Sequence, residues 1–346
     1  MNPYAKLISL LSITLGSLIT MSSNHWILAW AGLEINTLAV IPLISKSHHP
    51  RAVEASIKYF LVQASASALI LFSSLSNAWS TGQWDITYLT NPTSSLLLTT
   101  AIAMKLGLVP FHFWFPEVLQ GSSLTTGLLL STLIKLPPLT ILSLVAPSLN
   151  PTILTIMAIT STALGGWMGL NQTQIRKILA FSSISHLGWM AMIIIYNPKL
   201  TILTFCLYTL ITSSVFMSLN TTKTTNLPTL MISWTKTPSL NATLLMTLLS
   251  LAGLPPMSGF MPKWMILQEL INQEMTPMAF MISMLSLLGL FFYLRLAYYS
   301  TITLPPNSIN YMKLWYTNKN SYVLTATFSS LSLTLLPLSP MILPMF

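Results

Sequence analysis

Charged side chains are what this sequence most lacks. Of its 346 residues only 6% are Asp, Glu, Lys or Arg, while 53% are hydrophobic; soluble domains carry about 25% charge. The mean hydropathy of +0.70 agrees. No soluble fold could solvate such a surface, so the solvent is lipid. Cysteine is equally scarce. The single Cys206 lies mid-span, which excludes disulfides, an iron–sulfur cluster and a Cys-based zinc site. Neither G-x-G-x-x-G nor G-x-x-x-x-G-K-[ST] occurs, so nucleotide binding has no support. His48 and His49 stand beside Pro50 in a short basic loop without further partners and are read as loop residues, not metal ligands. The amino terminus has no Arg-rich amphipathic presequence and no A-x-A site. The first apolar run is therefore expected to belong to the mature protein.

What is present is a series of apolar runs long enough to cross a bilayer, about 20 residues each. Eleven are expected, near 3–21, 26–45, 57–79, 94–116, 123–146, 151–170, 176–196, 200–220, 239–272, 277–302 and 322–345. The runs are continuous rather than alternating, which excludes a strand barrel. Serine and threonine are plentiful within them, as expected where helices pack on helices. The fold class is an all-α polytopic membrane protein, a single membrane domain over 1–346.

Lys and Arg number 15 against 6 Asp and Glu, a net charge of +9. With eleven spans, Lys6, Lys46, Arg51, Arg176, Lys177, Lys223, Lys236, Lys313 and Lys319 share the face of the amino terminus, and Lys199 lies opposite. The positive-inside rule then places the amino terminus on the matrix or cytoplasmic side. The excess charge reads as sidedness and affinity for anionic lipid. Spread through short loops, it does not suit nucleic acid.

Two segments defy a regular helix. Residues 251–264, "LAGLPPMSGFMPKW", and residues 104–117, "MKLGLVPFHFWFPE", share the spacing G-x-x-P-x5-P. In the first copy in the chain it falls on Gly107, Pro110 and Pro116, in the second on Gly253, Pro256 and Pro262. Proline removes a backbone donor and clashes one turn back. Freed carbonyls are tolerated at membrane depth only where protein or water covers them. The copies lie in spans four and nine, an odd offset, so they cross the membrane in opposite directions. Two inverted five-helix repeats follow, 1–146 and 151–302, with 322–345 as an additional helix. Kinking prolines also serve packing alone, but broken helices at matching repeat positions point to an ion path.

Ionisable residues recur near the middle of spans: Glu34, Lys105, Lys135 and His186, with Lys263 just past the second break. Each charge costs about 2.5–3.5 kcal/mol to insert. Burial lowers the pKa of a lysine and a nearby carboxylate raises it again; histidine titrates near neutrality already. Freed carbonyls with bound water can solvate an ammonium beside the break. Ser182, Ser183 and Ser185 could hold bridging water. The pattern is a switchable proton wire, without any nucleophile constellation. For His186 a structural, hydrogen-bonded role is equally open. Arg295, near a basic span end, is expected to snorkel, and Glu54 with Lys58 to form an i,i+4 pair.

The stretches "WAGLEINTL", "KLGLVPFHFWFPEV", "GLNQTQIRKILAFSSISHLGWM" and "GLPPMSGFMPKW", with "MNP" at the start, carry a resemblance across nearly the whole chain. It resembles the subunit 2 family of mitochondrial NADH–ubiquinone oxidoreductase, respiratory complex I, one of three antiporter-like families of the membrane arm. The last forty residues are generic. The resemblance implies Glu34 as the carboxylate paired with Lys105, Lys135 as the connecting lysine, Lys263 as the terminal lysine and His186 as the central-axis histidine. It implies eleven helices, as in animal members, and synthesis inside the mitochondrion; with the sidedness of the basic loops, the carboxyl terminus is then expected on the intermembrane-space side. It further implies that NAD, FMN, iron–sulfur clusters and ubiquinone belong to partner subunits, and that none is bound here. The implied partners are neighbouring antiporter-like and small hydrophobic core subunits, cardiolipin and other phospholipids. The alternatives are a cation/proton antiporter without redox coupling, and a scaffold whose buried charges hold subunits together.

Overall fold

A computed structural model describes residues 2–47, 49–301 and 323–336. His48, Lys313, Lys319 and the end of the expected last span lie outside the described residues. Every regular element among the described residues is helical. Proline at the first helical position needs no donor there and is pre-set for the helix. Pro3, Pro50, Pro92, Pro151, Pro198 and Pro238 accordingly open α1 (Pro3–Ser22), α3 (Pro50–Thr81), α4 (Pro92–Leu106), α8 (Pro151–Gly169), α10 (Pro198–Thr222) and α12 (Pro238–Ala252). Between these come α2 (Trp26–Ile44), α5 (Trp114–Gly121), α6 (Leu124–Ser131), α7 (Leu136–Val145), α9 (Ile175–Ile193) and α11 (Leu227–Lys236). The chain continues through α13 (Phe260–Asn272), α14 (Thr276–Thr301) and α15 (Val323–Thr334).

Among the described residues, seven helical segments are each long and apolar enough to cross a membrane: α1, α2, α3, Leu124–Ser148, α8, α10 and α14. The other expected spans take different forms. Spans four and nine are each divided into two helices, span seven is the more polar α9, and the last is described only through α15 and the two residues after it.

Span five, expected near 123–146, is present as Leu124–Ser148 and carries an interruption: α6 ends at Ser131, Thr132 leaves the helical region (φ −116°, ψ −81°), and Leu133–Lys135 form a 3₁₀ turn before α7. The cause is Pro137–Pro138, whose missing donors and rings cannot continue the preceding turns.

The chain forms two compact units, Met1–Ser161 with Leu187–Thr201, and Thr162–His186 with Ile202–Phe346. In the first, α2 packs on both α1 and α3, α3 on α4 and α5, and α7 on α1 and α4. Trp26, Tyr59, Ile70, Leu98 and Phe115 are fully buried there. In the second, α14 packs on α11, α12 and α13, and α15 on α12. Met261 of α13 joins Leu203 and Leu207 of α10, backed by Met265 and Leu335.

Candidate functional site

The two broken helices have the same construction. Each opens on a proline and runs 15 residues to a glycine in the left-handed region, Gly107 (φ 77°, ψ 39°) and Gly253 (φ 82°, ψ 40°). Six residues of turns follow before the next helix begins at Trp114 or Phe260. A left-handed C-terminal residue lets the chain leave a helix abruptly, and glycine adopts it without a Cβ clash. Pro110 and Pro256 fall in the turns, and Pro116 and Pro262 in the first turn of the following helix. The Val109–Pro110 peptide is cis.

A helix end leaves carbonyls without partners, and the two breaks satisfy theirs differently. At the first, the Ala103 carbonyl accepts from the amides of Gly107 and Leu108, both at 2.9 Å. The Met104 carbonyl accepts from Trp114 Nε1 at 3.1 Å, and the Lys105 carbonyl from Gln63 Nε2 of α3 at 3.4 Å. At the second, the Ala252 carbonyl accepts from Lys263 Nζ at 2.8 Å. The ammonium expected beside the break thus caps it.

Lys263 stands ten residues beyond Gly253, and the residue ten beyond Gly107 is Glu117. That carboxylate faces Lys58, whose Nζ bridges Glu117 at 2.6 Å and Glu54. The expected Glu54–Lys58 pair is therefore one arm of a three-residue cluster at the surface.

Three of the buried ionisable residues lie in the first unit. Glu34 is half-buried on α2, and Thr37 Oγ1 donates to its Oε2 at 3.0 Å. The carboxylate is not within ion-pair contact of Lys105, whose Nζ is buried without a hydrogen-bond partner. Lys135, at the end of the 3₁₀ turn, is also buried, and its Nζ lies 4.1 Å above the centre of the Phe115 ring. That ring belongs to the helix following the first break, so a cation–π contact ties the break to the interruption of span five.

His186 and Lys263 lie in the second unit. The His186 ring on α9 is 5.4 Å from that of Tyr208 on α10. Ser182, Ser183 and Ser185 donate to carbonyls of Leu179, Ala180 and Ser182 in their own helix, which leaves their oxygen lone pairs as acceptors. Arg295 corrects the expectation of a snorkelling side chain. Its guanidinium donates to the carbonyls of Leu170 and Gln172 (the latter at 2.7 Å), just past the end of α8. Carbonyls at a helix carboxyl end favour a cation beside them.

Sequence reasoning passed over three residues beside these. His112, in the turns after Gly107, is 2% exposed, and both ring nitrogens are buried without a hydrogen-bond partner. Tyr59 has a buried, unpartnered hydroxyl, and Gln63 holds the Lys105 carbonyl. The signal for His112 was legible: a titratable residue inside a broken helix. Tyr59 and Gln63 gave none, since their partners come from other helices. Among the described residues no cluster of three His, Cys, Asp or Glu side chains could hold a metal ion.

A family model described as NADH:quinone oxidoreductase/Mrp antiporter, TM, matches residues 23–289, and one described as NADH dehydrogenase subunit 2 C-terminus matches residues 290–343. The NADH-ubiquinone oxidoreductase chain 2 of Struthio camelus is 76% identical over 343 residues, covering 99% of both chains. The chain belongs to the NADH–ubiquinone oxidoreductase chain 2 family. Its fold agrees with that of a solved chain of respiratory complex I from Thermus thermophilus, with TM-score 0.88 and 26% identity over 99% of this chain and 80% of that one. A chain of the Mrp complex from Dietzia sp. shares the fold at TM-score 0.80 and 16% identity, covering 97% of this chain and 75% of that one. Members of the chain 2 family are antiporter-like subunits of the complex I membrane arm, and this chain is such a subunit, a multi-pass inner-membrane protein of a multi-subunit oxidoreductase.

Proposed function

We propose that this subunit carries protons through Glu34, Lys105, Lys135, His186 and Lys263, with the breaks at Gly107 and Gly253 as the hydrated, switchable elements. The observation that carries this reading is the repeated break with a lysine beside it each time. A buried lysine in a regular helix meets the full desolvation penalty of its charge; Lys263, bonded to the freed Ala252 carbonyl, meets less of it. In the first unit Glu34 can draw charge onto Lys105, and Lys135 receives it over Phe115. Residues 1–146 and 151–302 act as two inverted repeats, with 322–345 as an additional helix. The supporting observation is the matching backbone of the two breaks.

In this reading the amino terminus faces the matrix and the carboxyl terminus the intermembrane space, following the basic loops. NADH, flavin, iron–sulfur and ubiquinone chemistry stays in partner subunits. The neighbours are other antiporter-like and small hydrophobic core subunits, with cardiolipin and other phospholipids around them. The likeness to the Mrp complex favours a second reading, cation/proton exchange without redox coupling.

The deciding measurement uses the intact complex reconstituted in vesicles, with Lys135→Met. Protons moved per NADH oxidised should fall. An unchanged ratio removes Lys135 from the path, and proton movement that needs sodium but no NADH favours the exchanger.

A further inference from the structure

Helices α10, α12 and α15 of the second unit enclose a cleft of about 350 Å³. Its walls carry hydroxyl residues one helical turn apart, among them Ser214 and Ser218 of α10, Thr243 and Thr247 of α12, and Thr325 and Ser329 of α15. Exposed Ser239, Ala326 and Ser330 open it to the outside of the helix bundle. We infer that this cleft holds one acyl chain of an anionic phospholipid, with its headgroup at the basic end of the same unit. The inference deepens the phospholipid partnership proposed above by giving it a place.

Dimensions favour a chain over a helix. Ser239 to Thr247 spans about 12 Å at 1.5 Å per residue, close to one leaflet of a hydrocarbon core about 30 Å thick. Even the whole empty space of the cleft, about 810 Å³, is less than a helix about 10–12 Å wide would fill over that length. The wall chemistry disfavours a water file. Ser214, Ser218, Thr243, Thr247 and Ser329 each donate their hydroxyl hydrogen to a carbonyl three residues back in their own helix. With these donors internally bonded, the walls present methyl, methylene and oxygen lone-pair surface. Leu240, Leu244 and Leu333 complete an apolar lining.

The headgroup end is set by the chain path. Ser218 lies one turn before the end of α10, and exposed Lys223 follows it. The loop after Lys223 is bonded to the segment before α9: Ile175 N–H donates to the Thr225 carbonyl at 3.1 Å and Leu227 N–H to that of Thr173 at 3.2 Å. This brings Lys177 to the same end. Ser239 and Thr325, near the starts of α12 and α15, mark the mouth of the cleft there. Basic residues at that end of the unit favour anionic over zwitterionic lipid.

The test is photolabelling of the intact complex with two phospholipids that share one diazirine acyl chain, phosphatidylglycerol and phosphatidylcholine. Peptides covering 239–247 and 325–333 should label more strongly with phosphatidylglycerol, by on the order of fivefold per lysine, while the exposed Phe280 and Leu287 of α14 should not discriminate. Lys177→Gln with Lys223→Gln should remove the preference, and Thr243→Phe, which fills the cleft, should abolish labelling there. Cleft labelling no stronger than at Phe280, equal labelling by both lipids, or indifference to Thr243→Phe overturns the inference. If Thr243→Phe does not assemble, the lysine pair and the headgroup comparison decide alone. None of these readouts depends on proton movement, so failure leaves the proton reading intact.

Discussion

Lys263 folds back across the break in its own span and lies against Gly253. Its Nζ donates to the Ala252 carbonyl at 2.8 Å, and a Cβ placed on Gly253 would stand 2.9 Å from its Cδ and 3.0 Å from its Nζ. The glycine thus does two things: it adopts the left-handed turn that ends α12, and it leaves room for the ammonium that caps the freed carbonyl.

Alanine scanning of the two break glycines separates these effects. Gly107 and Gly253 have nearly the same backbone, so alanine at either costs about 1–2 kcal/mol from the left-handed conformation. Around Gly107, however, the nearest atoms to an added Cβ are those of Trp114 at 3.6 Å, an ordinary contact. Gly253→Ala should therefore impair proton movement more than Gly107→Ala at equal assembly. Proton uptake per NADH in vesicles measures it; equal losses would mean that the Lys263 contact is incidental.

Glu34→Gln keeps shape and hydrogen bonding and removes the charge that acts on Lys105. Coupled ubiquinone reduction should fall while NADH oxidation by an artificial acceptor at the hydrophilic arm survives. Lys105→Ala is harsher and should lower assembly as well, because its buried surroundings would repack. Parallel loss of both activities in Glu34→Gln at normal assembly would refute an electrostatic switch.

The sequence made the breaks legible because glycine and proline restrict the backbone locally, wherever the chain goes next. It also marked Lys105, Lys135 and Lys263, since a charge in an apolar run stands out by composition alone. Lys105 capped by nothing, Lys263 turned onto its own helix end and Lys135 lying over Phe115 were not legible. Those depend on which helices meet, as does the hold of Arg295 on the end of α8, 125 residues away. Pro137–Pro138 was the readable sign of the span-five interruption, but kinking prolines inside an apolar run also serve packing alone.

Arg295 is expected to be an assembly residue. Lysine offers a single ammonium where the guanidinium bridges two carbonyls, and each charge-assisted bond is worth about 1.5–3 kcal/mol. Arg295→Lys should lower the amount of assembled complex on native gels, with turnover per assembled complex unchanged. Normal assembly with reduced turnover would assign Arg295 to the proton path instead.

Phe115→Leu tests the seat of Lys135. Removing the ring face beneath a desolvated ammonium should weaken its charged form by about 2 kcal/mol, while leucine keeps the site apolar. Protons moved per NADH oxidised should fall at unchanged assembly. A ratio equal to wild type would make the Phe115 contact packing alone.

Lys263→Arg distinguishes titration from capping. Arginine can reach the Ala252 carbonyl and supply the same positive charge, so the break should keep its cap and the complex should assemble. It cannot release its proton, so a lysine that must titrate during turnover cannot be replaced this way. Quinone reduction and proton uptake in reconstituted Lys263→Arg complex should both fall severely, with assembly near wild type. Lys263→Ala should instead lose the cap and lower assembly as well. A capping role alone reverses the order, with arginine active and alanine defective mainly through assembly. Full pumping by the arginine variant would take Lys263 out of the proton path and leave it as the group that closes the end of α12.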